Sequence, residues 1–270
     1  MYSVTPEAAQ AWRGLLLAIA RRAAEPLEVL DYPAPAPLSE LWARPDLGAV
    51  FMCGLPFSRA RPQPQLLAAP VPSPPEFEGR AQYWSEFVVR AESAHDSLRD
   101  TFGGRIAFTA TLSQSGFAAP LHALRGCADT PPLYAELIAP QVNPQGALAA
   151  VADGLADVAP IDCYSLRLLQ RFNPALVQRV RVVARTSPWP IPPLVASKPS
   201  PRLSSAFLTA HDDNGPAVVH MRELSLQRFV LPQVADYELL GSTFDSTLAY
   251  WRRQPLAHRI HPAFQGMLAA

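Results

Sequence analysis

Short apolar runs alternate with amphipathic segments along this chain, and that alternation limits the folds it can adopt. Strands are predicted where apolar residues run together, and helices where they recur every third or fourth position. Alternating strands and helices are typical of an α/β fold with a mostly parallel sheet, whose ligands bind at the carboxyl ends of strands. Proline clusters at 33–37, 70–75 and 188–193 indicate stiff connecting loops.

The periodicity gives a set of predicted elements. Thr5 and Pro6 begin a helix, because Thr is a favoured N-cap and Pro fits the first helical position. The predicted strands are residues 2–4, 27–30, 46–54, 66–71, 83–90, 105–108, 141–142, 157–162 and 181–185. Further helices are predicted to begin near residues 38, 115, 134, 144, 163, 203, 218 and 239.

Composition restricts the class of protein. Of the 270 residues, 49% are hydrophobic and 17% charged, so the chain can bury a large core and disorder is not expected. The formal net charge is +0 and the sequence has no tract of Lys and Arg, which disfavours a nucleic-acid partner.

Cysteines and histidines give no pattern typical of a metal or a cofactor, and none is predicted. The three cysteines are widely spaced and form no C-x-x-C pair, which fits buried free thiols. Cys53 and Cys163 are interpreted as small buried hydrophobes rather than nucleophiles. His258 and His261 lie three residues apart and are interpreted as residues at a surface helix end.

The first residues do not resemble a secretory signal. The apolar run at 15–20 is short and is followed by Arg21 and Arg22, and no run is long enough to span a membrane. The sequence as it stands therefore predicts a cytoplasmic protein. A periplasmic location is the alternative if a signal has been removed.

Residues 113–116, Ser-Gln-Ser-Gly, follow a short apolar strand and open a helix; we call them the hydroxyl turn. A helix start presents free N–H groups at the positive end of the helix dipole, and the two serines add hydroxyls. Gly116 lacks a Cβ and allows the chain or a ligand to approach closely. The turn therefore predicts an anion site, with a simple N-cap at Ser113 or Ser115 as the alternative.

Two other predicted strands also end in polar or small residues. Asp162 follows an apolar strand, where a carboxylate must be solvated or paired, and it is interpreted as facing a ligand or as capping the next helix. Tyr164 lies just beyond it, and Cys53 with Gly54 ends another strand. We expect these strand ends to lie at the binding site together with the hydroxyl turn.

A family resemblance follows from three stretches in order: Cys-Gly-Leu-Pro at 53–56, the hydroxyl turn, and the Ala-Val-Ala-Asp run that begins at 150 and ends at Asp162. Over residues 1–197 the chain resembles the PhnD-like phosphate/phosphonate-binding proteins. These are solute receptors of ABC transporters with the type 2 periplasmic-binding-protein fold. The resemblance implies lobe 1 at 1–89 plus 186–270, lobe 2 at 90–185, and a hinge of two crossing strands near 83–90 and 182–186.

The resemblance also implies roles for individual residues. Ser113, Gln114, Ser115 and Gly116 are expected to hold phosphonate oxygens, and Asp162 to face the ligand's amino end. An aromatic side chain of the crossing strand is expected to line the cleft. The further ligand-binding residues expected are Tyr2, Cys53, Gly54, Tyr83, Trp84, Tyr164 and Trp189. Trp189 could equally fill the core.

Two functions are consistent with these observations. The first is a monomeric binding protein that closes on a small anionic or zwitterionic solute without catalysis, with an ABC permease as a further partner. The second is a cytoplasmic biosynthetic enzyme on the same fold, of the thiamine-pyrimidine or menaquinone-precursor type. Binding is favoured, because His122 is the only histidine near the predicted site and no other base is evident.

Overall fold

The computed structural model describes residues 1–32, 36–127, 133–138, 141, 143–212 and 214–253. The chain forms a two-lobed α/β fold composed of two compact units. Unit 1 contains residues 1–83 and 189–239; unit 2 contains residues 84–188 and, within the described part of the chain, 240–253. The predicted lobes differ from these units at 84–89 and 186–188, and in the segment after residue 239. The lobe division made from sequence stays a prediction.

The elements are given in chain order. The strands are β1 (Val50–Phe51), β2 (Gln65–Pro72), β3 (Gln82–Tyr83), β4 (Ser85–Arg90), β5 (Arg105–Ala107), β6 (Glu136–Ile138), β7 (Ala159–Asp162), β8 (Val180–Arg185), β9 (Trp189–Pro190), β10 (Leu194–Ala196) and β11 (Leu226–Val230). The α-helices are α1 (Pro6–Ala23), α2 (Leu38–Trp42), α3 (Gly54–Arg59), α4 (Ala119–Leu124), α5 (Pro144–Ala152), α6 (Cys163–Phe172), α7 (Pro174–Val177), α8 (Pro201–Leu208), α9 (Pro216–Glu223) and α10 (Ala235–Arg253). None of the described helices is long and apolar enough to span a membrane.

Unit 1 is built on a four-stranded sheet in the order β1-β10-β2-β11, and each of its pairs is antiparallel. Helix α1 begins as predicted: the Thr5 hydroxyl accepts the N–H of Ala8 at 3.2 Å, and Pro6 occupies the first helical position. Trp12, Leu15 and other apolar residues of α1 are buried, and the helix packs against α8 and α9.

Unit 2 contains a three-stranded sheet in the order β7-β4-β8 and the pair β5·β6. The central strand β4 is almost entirely buried, with Phe87, Val88 and Val89 at 1% exposure or less. Helix α5 packs on β7 and β4, while α6 follows β7 directly. This arrangement fixes the end of β7 next to the start of α6.

Several predictions from periodicity are wrong. The described strand pairs are antiparallel except for β5·β6 and a parallel bridge between Ile106 and Val158, so the sheets are not mostly parallel. Residues 2–4 and 27–30 form no strand, and the helix predicted from residue 134 is instead the strand Glu136–Ile138. Val142, predicted as strand, lies outside the described residues. Strand pairing depends on partners distant in the sequence, and local periodicity does not record them.

Candidate functional site

The hydroxyl turn lies in unit 2, beyond β5. Ser113 has an extended backbone (φ −76°, ψ 124°), and its hydroxyl oxygen accepts the N–H of Gly116 at 2.9 Å. The following residues form a π-helical turn, Gln114–Ala118, which continues directly into α4. Ser113 is therefore the N-cap, and the helix begins one residue earlier than predicted. Single π-helical turns occur frequently at functional sites.

Two backbone N–H groups at this helix start have no acceptor in the described part of the chain. Among the described residues, the backbone nitrogens of Gln114 and Ser115 make no hydrogen bond. Both residues are buried, at 2% and 9% exposure. Buried N–H groups are almost always paired, and those at a helix start carry the positive end of the dipole. Together they form a position suited to an anion.

Side chains at the turn supply further polar atoms. The Oε1 atom of Gln114 and the Oγ1 atom of Thr109 are buried without a hydrogen-bond partner among the described residues. Unpartnered buried polar atoms are uncommon in folded proteins and call for an explanation. A bound ligand with hydrogen-bond donors and acceptors would satisfy them.

Packing within the chain itself requires a glycine at position 116. An added Cβ would lie 1.7 Å from Oγ1 and 2.9 Å from Cβ of Thr109. The N–H of Thr109 also donates to the carbonyl of Gly116 at 3.2 Å. The close approach predicted from this glycine is therefore made by the segment that leaves β5, and it fixes the backbone of the turn.

Asp162 is the last residue of β7 and caps α6. Its Oδ1 accepts the N–H of Ser165 at 2.7 Å, and its Oδ2 accepts the hydroxyl of Ser115 at 3.3 Å. Asp162 is 4% exposed, and desolvation raises the pKa of its carboxyl to about 6 against the opposing effect of these hydrogen bonds. The structure thus brings Asp162 together with the hydroxyl turn.

Strand β4 connects the acid with the turn. Ser85 is paired with Asp162 in the antiparallel register, and its hydroxyl donates to the carbonyl of Ser115 at 2.6 Å. The backbone N–H of Ser85 in turn donates to the hydroxyl of Thr186 at 3.1 Å. Ser85 is fully buried. Its backbone pairs with Asp162 and its side chain bonds to the hydroxyl turn, so this residue fixes the position of the acid relative to the turn.

Trp84 takes part in a second polar cluster of unit 2. Its indole N–H donates to Oε1 of Glu86 at 3.2 Å, and the same oxygen accepts from Arg167 at 3.0 Å. Its backbone N–H lies 3.3 Å from Sγ of Cys163. Burial raises the pKa of the Cys163 thiol, which agrees with a buried and unreactive cysteine.

Two further candidates of unit 2 are Tyr164, which is buried, and His122, which is half-buried. Tyr164 is inaccessible, and desolvation raises the pKa of its hydroxyl. His122 lies on α4, with Nδ1 3.0 Å from the hydroxyl of Thr247, and burial lowers its pKa. His122 is therefore held by α10.

The remaining predicted site residues belong to unit 1. Tyr83 and Trp189 are paired across β3·β9. Tyr2 is 2% exposed, with its ring stacked on Trp12 and edge-on to Phe51. Cys53 and Gly54 stand at the start of α3, and Sγ of Cys53 lies 3.9 Å from the sulfur of Met1. The ligand-binding role of each of these residues stays a prediction.

No group of His, Cys, Asp and Glu within the described ranges could hold a metal ion. His258 and His261 lie outside those ranges.

Sequence reasoning missed Thr109, Ser85 and Ser165, which pack on or bond to the site. Thr109 stands in the run Thr-Ala-Thr just before the turn, and Ser85 follows the two aromatic residues that were singled out. Both hydroxyls lie next to predicted site residues, and that proximity was a usable indication.

No curated protein sequence matches this chain significantly. The family model described as "ABC transporter, phosphonate, periplasmic substrate-binding protein" matches residues 5–237, which is most of the chain.

Solved structures share the fold. A binding protein component of an ABC phosphonate transporter from Pseudomonas aeruginosa has a TM-score of 0.74 and 16% identity, covering 99% of this chain and 92% of that one. PhnD1 from Prochlorococcus marinus, in complex with methylphosphonate, has a TM-score of 0.73 and 14% identity, with coverage of 90% and 94%. The aliphatic sulphonate binding protein SsuA from Escherichia coli has a TM-score of 0.55 and 17% identity, with coverage of 92% and 87%.

The family consists of substrate-binding proteins and not of enzymes, so the expectation of a binding protein is confirmed over the enzyme alternative. It is also a family of periplasmic proteins, the location given above as the alternative. The two-lobed α/β fold expected from the resemblance is confirmed by the structural matches, and the hinge of two crossing strands stays a prediction. The chain belongs to the family of periplasmic substrate-binding proteins of phosphonate ABC transporters.

Proposed function

We propose that this protein binds a small phosphonate- or phosphate-like anion at the hydroxyl turn and delivers it to an ABC permease. The observation that carries this proposal is the pair of backbone N–H groups of the buried residues Gln114 and Ser115, for which the described part of the chain offers no acceptor. An oxyanion placed on them would accept two hydrogen bonds at the positive end of a helix.

The hydroxyls complete the proposed site. Ser113 uses an oxygen lone pair to cap Gly116, so its hydrogen can donate to a second anion oxygen. Ser115 donates to Asp162, and a ligand oxygen would compete for that hydrogen. These donors are neutral, so the site holds the anion by directed hydrogen bonds rather than by a salt bridge.

Asp162 gives the proposal its second part. With a pKa of about 6, its carboxyl is mostly ionised at neutral pH, although it is buried. A ligand that carries an amino group next to its phosphonate would place a cation near this carboxylate. The zwitterion 2-aminoethylphosphonate is therefore expected to bind more tightly than methylphosphonate above pH 6, and the advantage is expected to shrink as the pH falls.

The proposal extends to the predicted lobes and to location. We propose that the lobes close on the ligand, with Tyr83, Trp84 and Trp189 among the residues that contact it, and that the protein works in the periplasm. Small-angle X-ray scattering checks closure, because the radius of gyration should fall when methylphosphonate is added in excess.

Calorimetric titration with methylphosphonate, phosphate and methanesulfonate tests the proposal. We expect saturable binding of the phosphorus anions, and a loss of at least about tenfold in affinity in Ser115→Ala. Ser246→Ala is the matched control, since Ser246 is an exposed serine of α10 whose described hydroxyl bond goes to the carbonyl of Thr243. Equal affinities for the wild type and Ser115→Ala would contradict the assignment of the turn.

A further inference from the structure

The first two residues of β4, Ser85 and Glu86, contact different parts of the proposed site. Side chains of neighbouring strand residues point to opposite faces of a sheet. On one face the hydroxyl of Ser85 donates to the carbonyl of Ser115 in the hydroxyl turn at 2.6 Å. On the other face Oε1 of Glu86 accepts from Nη2 of Arg167 in α6 at 3.0 Å. The strand therefore binds the turn through one residue and, through the next, the helix that Asp162 caps.

Glu86 lies in surroundings that are costly for a carboxylate. It is 5% exposed, and its Oε1 atom accepts both from Arg167 and from the indole N–H of Trp84, the latter at 3.2 Å. Its Oε2 atom is buried and makes no hydrogen bond to the described residues. A buried ion pair with an unsatisfied oxygen adds little to stability, because the loss of hydration offsets the attraction between the charges. Stability alone therefore does not account for a glutamate at this position.

The ion pair between Arg105 and Asp157 in the same unit shows the contrast. Asp157 accepts three hydrogen bonds from Arg105 and uses both carboxylate oxygens. Its side chain is 27% exposed, against 7% for Glu86. Asp157 is thus satisfied by its partner and partly hydrated, which is the arrangement of a stabilising ion pair. The place that Glu86 gives to α6 is the better explanation for the second pair.

The first turn of α6 follows the acid of the proposed site directly. The N–H of Cys163 donates to the carbonyl of Trp84 at 3.0 Å, and its Sγ lies 3.3 Å from the backbone N–H of Trp84. Desolvation raises the pKa of the Cys163 thiol, the charges of Asp162 and Glu86 raise it further, and Arg167 opposes them. The three charged groups therefore lie around one buried thiol. A shift of α6 along β4 would move the carboxylate of Asp162 relative to the hydroxyl turn.

We infer that Glu86 is a positioning residue of the binding site: by holding Arg167 it fixes the first turn of α6, and with it the carboxylate of Asp162, beside the hydroxyl turn. It acts on the cationic end of a zwitterionic ligand without touching the ligand, and in this respect the inference rests on the proposed function. The contact requires length and an acceptor rather than charge. Glutamine has the same length and can accept from Arg167 and Trp84, whereas aspartate is one methylene too short to keep both contacts.

Calorimetric titration of Glu86→Gln and Glu86→Asp at pH 8 tests the inference through the affinity for 2-aminoethylphosphonate divided by that for methylphosphonate. Glu86→Asp is expected to lower this ratio at least about fivefold, and Glu86→Gln to keep it within about twofold. A merely structural role would lower Tm in the variants without moving the ratio. The matched control is Glu92→Asp, because Glu92 is an exposed glutamate just after β4 that pairs with Arg90 at 3.7 Å. A ratio lost in Glu86→Gln but kept in Glu86→Asp, or equal ratios in all four proteins, would overturn the inference.

A measurement without ligand separates failure of this inference from failure of the proposed function. Carboxyl ¹³C NMR follows the titration of Asp162, whose pKa is about 6 in the native protein. In Glu86→Asp the first turn of α6 is expected to loosen and hydrate the carboxyl, which lowers the midpoint by about one pH unit. Glu86→Gln and Glu92→Asp should leave the midpoint in place. This pattern in a wild type that binds no phosphonate would contradict the proposed function and support the positioning role, whereas equal midpoints in all variants would overturn the inference.

Discussion

The two carboxylates that flank β7 have opposite surroundings. Asp157, before the strand, accepts the guanidinium of Arg105 at 2.9 and 3.2 Å and its backbone N–H at 2.7 Å. Arg105 lowers the pKa of Asp157. Asp162, at the strand's end, has neutral described partners, Ser115 and Ser165, and burial raises its pKa to about 6.

The difference separates a structural acid from a candidate functional one. The ion pair of Asp157 joins the start of β5 to the segment that enters β7 and leaves its charge neutralised. The charge of Asp162 has no cation among its described contacts, and its energetic cost is offset only in part by hydrogen bonds. A carboxylate without a described cation, next to N–H groups without a described acceptor, is the arrangement expected of a binding site.

A tightly packed glycine lies near each of the two acids: Gly116 in the hydroxyl turn beside Asp162, and Gly104 beside Asp157. The largest expected effect comes from replacing Gly116. Gly116→Ala would place a Cβ 1.7 Å from Oγ1 of buried Thr109, so we expect a loss of about 4 kcal/mol in the free energy of unfolding. Binding of methylphosphonate should be lost as well, because the turn must move. Urea denaturation and calorimetry measure the two effects.

Gly104→Ala is the matched variant beside Asp157. Its Cβ would lie 2.7 Å from the carboxylate of Asp157 and 3.1 Å from the carbonyl of Thr101. The carboxylate can shift, so a loss of about 1–2 kcal/mol with unchanged ligand binding is expected. If Gly104→Ala abolished binding and Gly116→Ala did not, the ligand role assigned to the surroundings of Asp162 and the structural role assigned to Asp157 would both be wrong.

After Gly116→Ala, the next largest change in the free energy of unfolding is expected from Asp162→Asn. A carboxyl with a native pKa of about 6 binds its proton more tightly in the folded state than in the unfolded state, where the value is near 3.8. Stability therefore falls as pH rises from about 4 to 6, and at pH 8 the charge costs up to about 3 kcal/mol. Asp162→Asn should remove that cost, raising the free energy of unfolding at pH 8 and leaving it little changed at pH 4.

Asp157→Asn should act in the opposite direction. The lowered pKa of Asp157 stabilises the fold above the unfolded value and is lost as pH falls through the native pKa. We expect the variant to lose about 2 kcal/mol at pH 7 and less in acid, measured by urea denaturation across this range. Parallel pH profiles for the two Asn variants would remove the contrast between the acids.

Ser85→Ala has the smallest expected effect. It removes the 2.6 Å hydrogen bond to the carbonyl of Ser115, at a cost of about 1 kcal/mol. Affinity for methylphosphonate should fall only a few-fold, because the turn keeps its N–H groups. An affinity loss as large as that of Ser115→Ala would show that β4, rather than the turn's own cap, positions the site.

What the sequence could predict was local. The starts of α1 and α5 were accessible because Thr5 and Asn143 each precede a proline and cap the helix with their own side chains. The hydroxyl turn was found for the same reason. Its cap, Ser113, lies within three residues of the N–H that it accepts.

What the sequence could not predict depends on distant partners. Residues 27–30 have the composition of a strand but no described neighbour to pair with, whereas Glu136–Ile138 becomes a strand through pairing with β5. The same holds for the packing of Thr109 on Gly116 and for the ion pair that distinguishes Asp157 from Asp162. The residues next to a segment in the sequence do not determine which distant residue it contacts in the folded protein.

The central claim is that an anion bonds to the backbone N–H groups of Gln114 and Ser115 in the hydroxyl turn. Amide NMR spectra of the ¹⁵N-labelled protein, recorded while methylphosphonate is added, test it directly. The account predicts that the amide protons of Gln114 and Ser115 move downfield and that their shifts saturate with the calorimetric affinity. Saturable binding that leaves both amide resonances in place would contradict it.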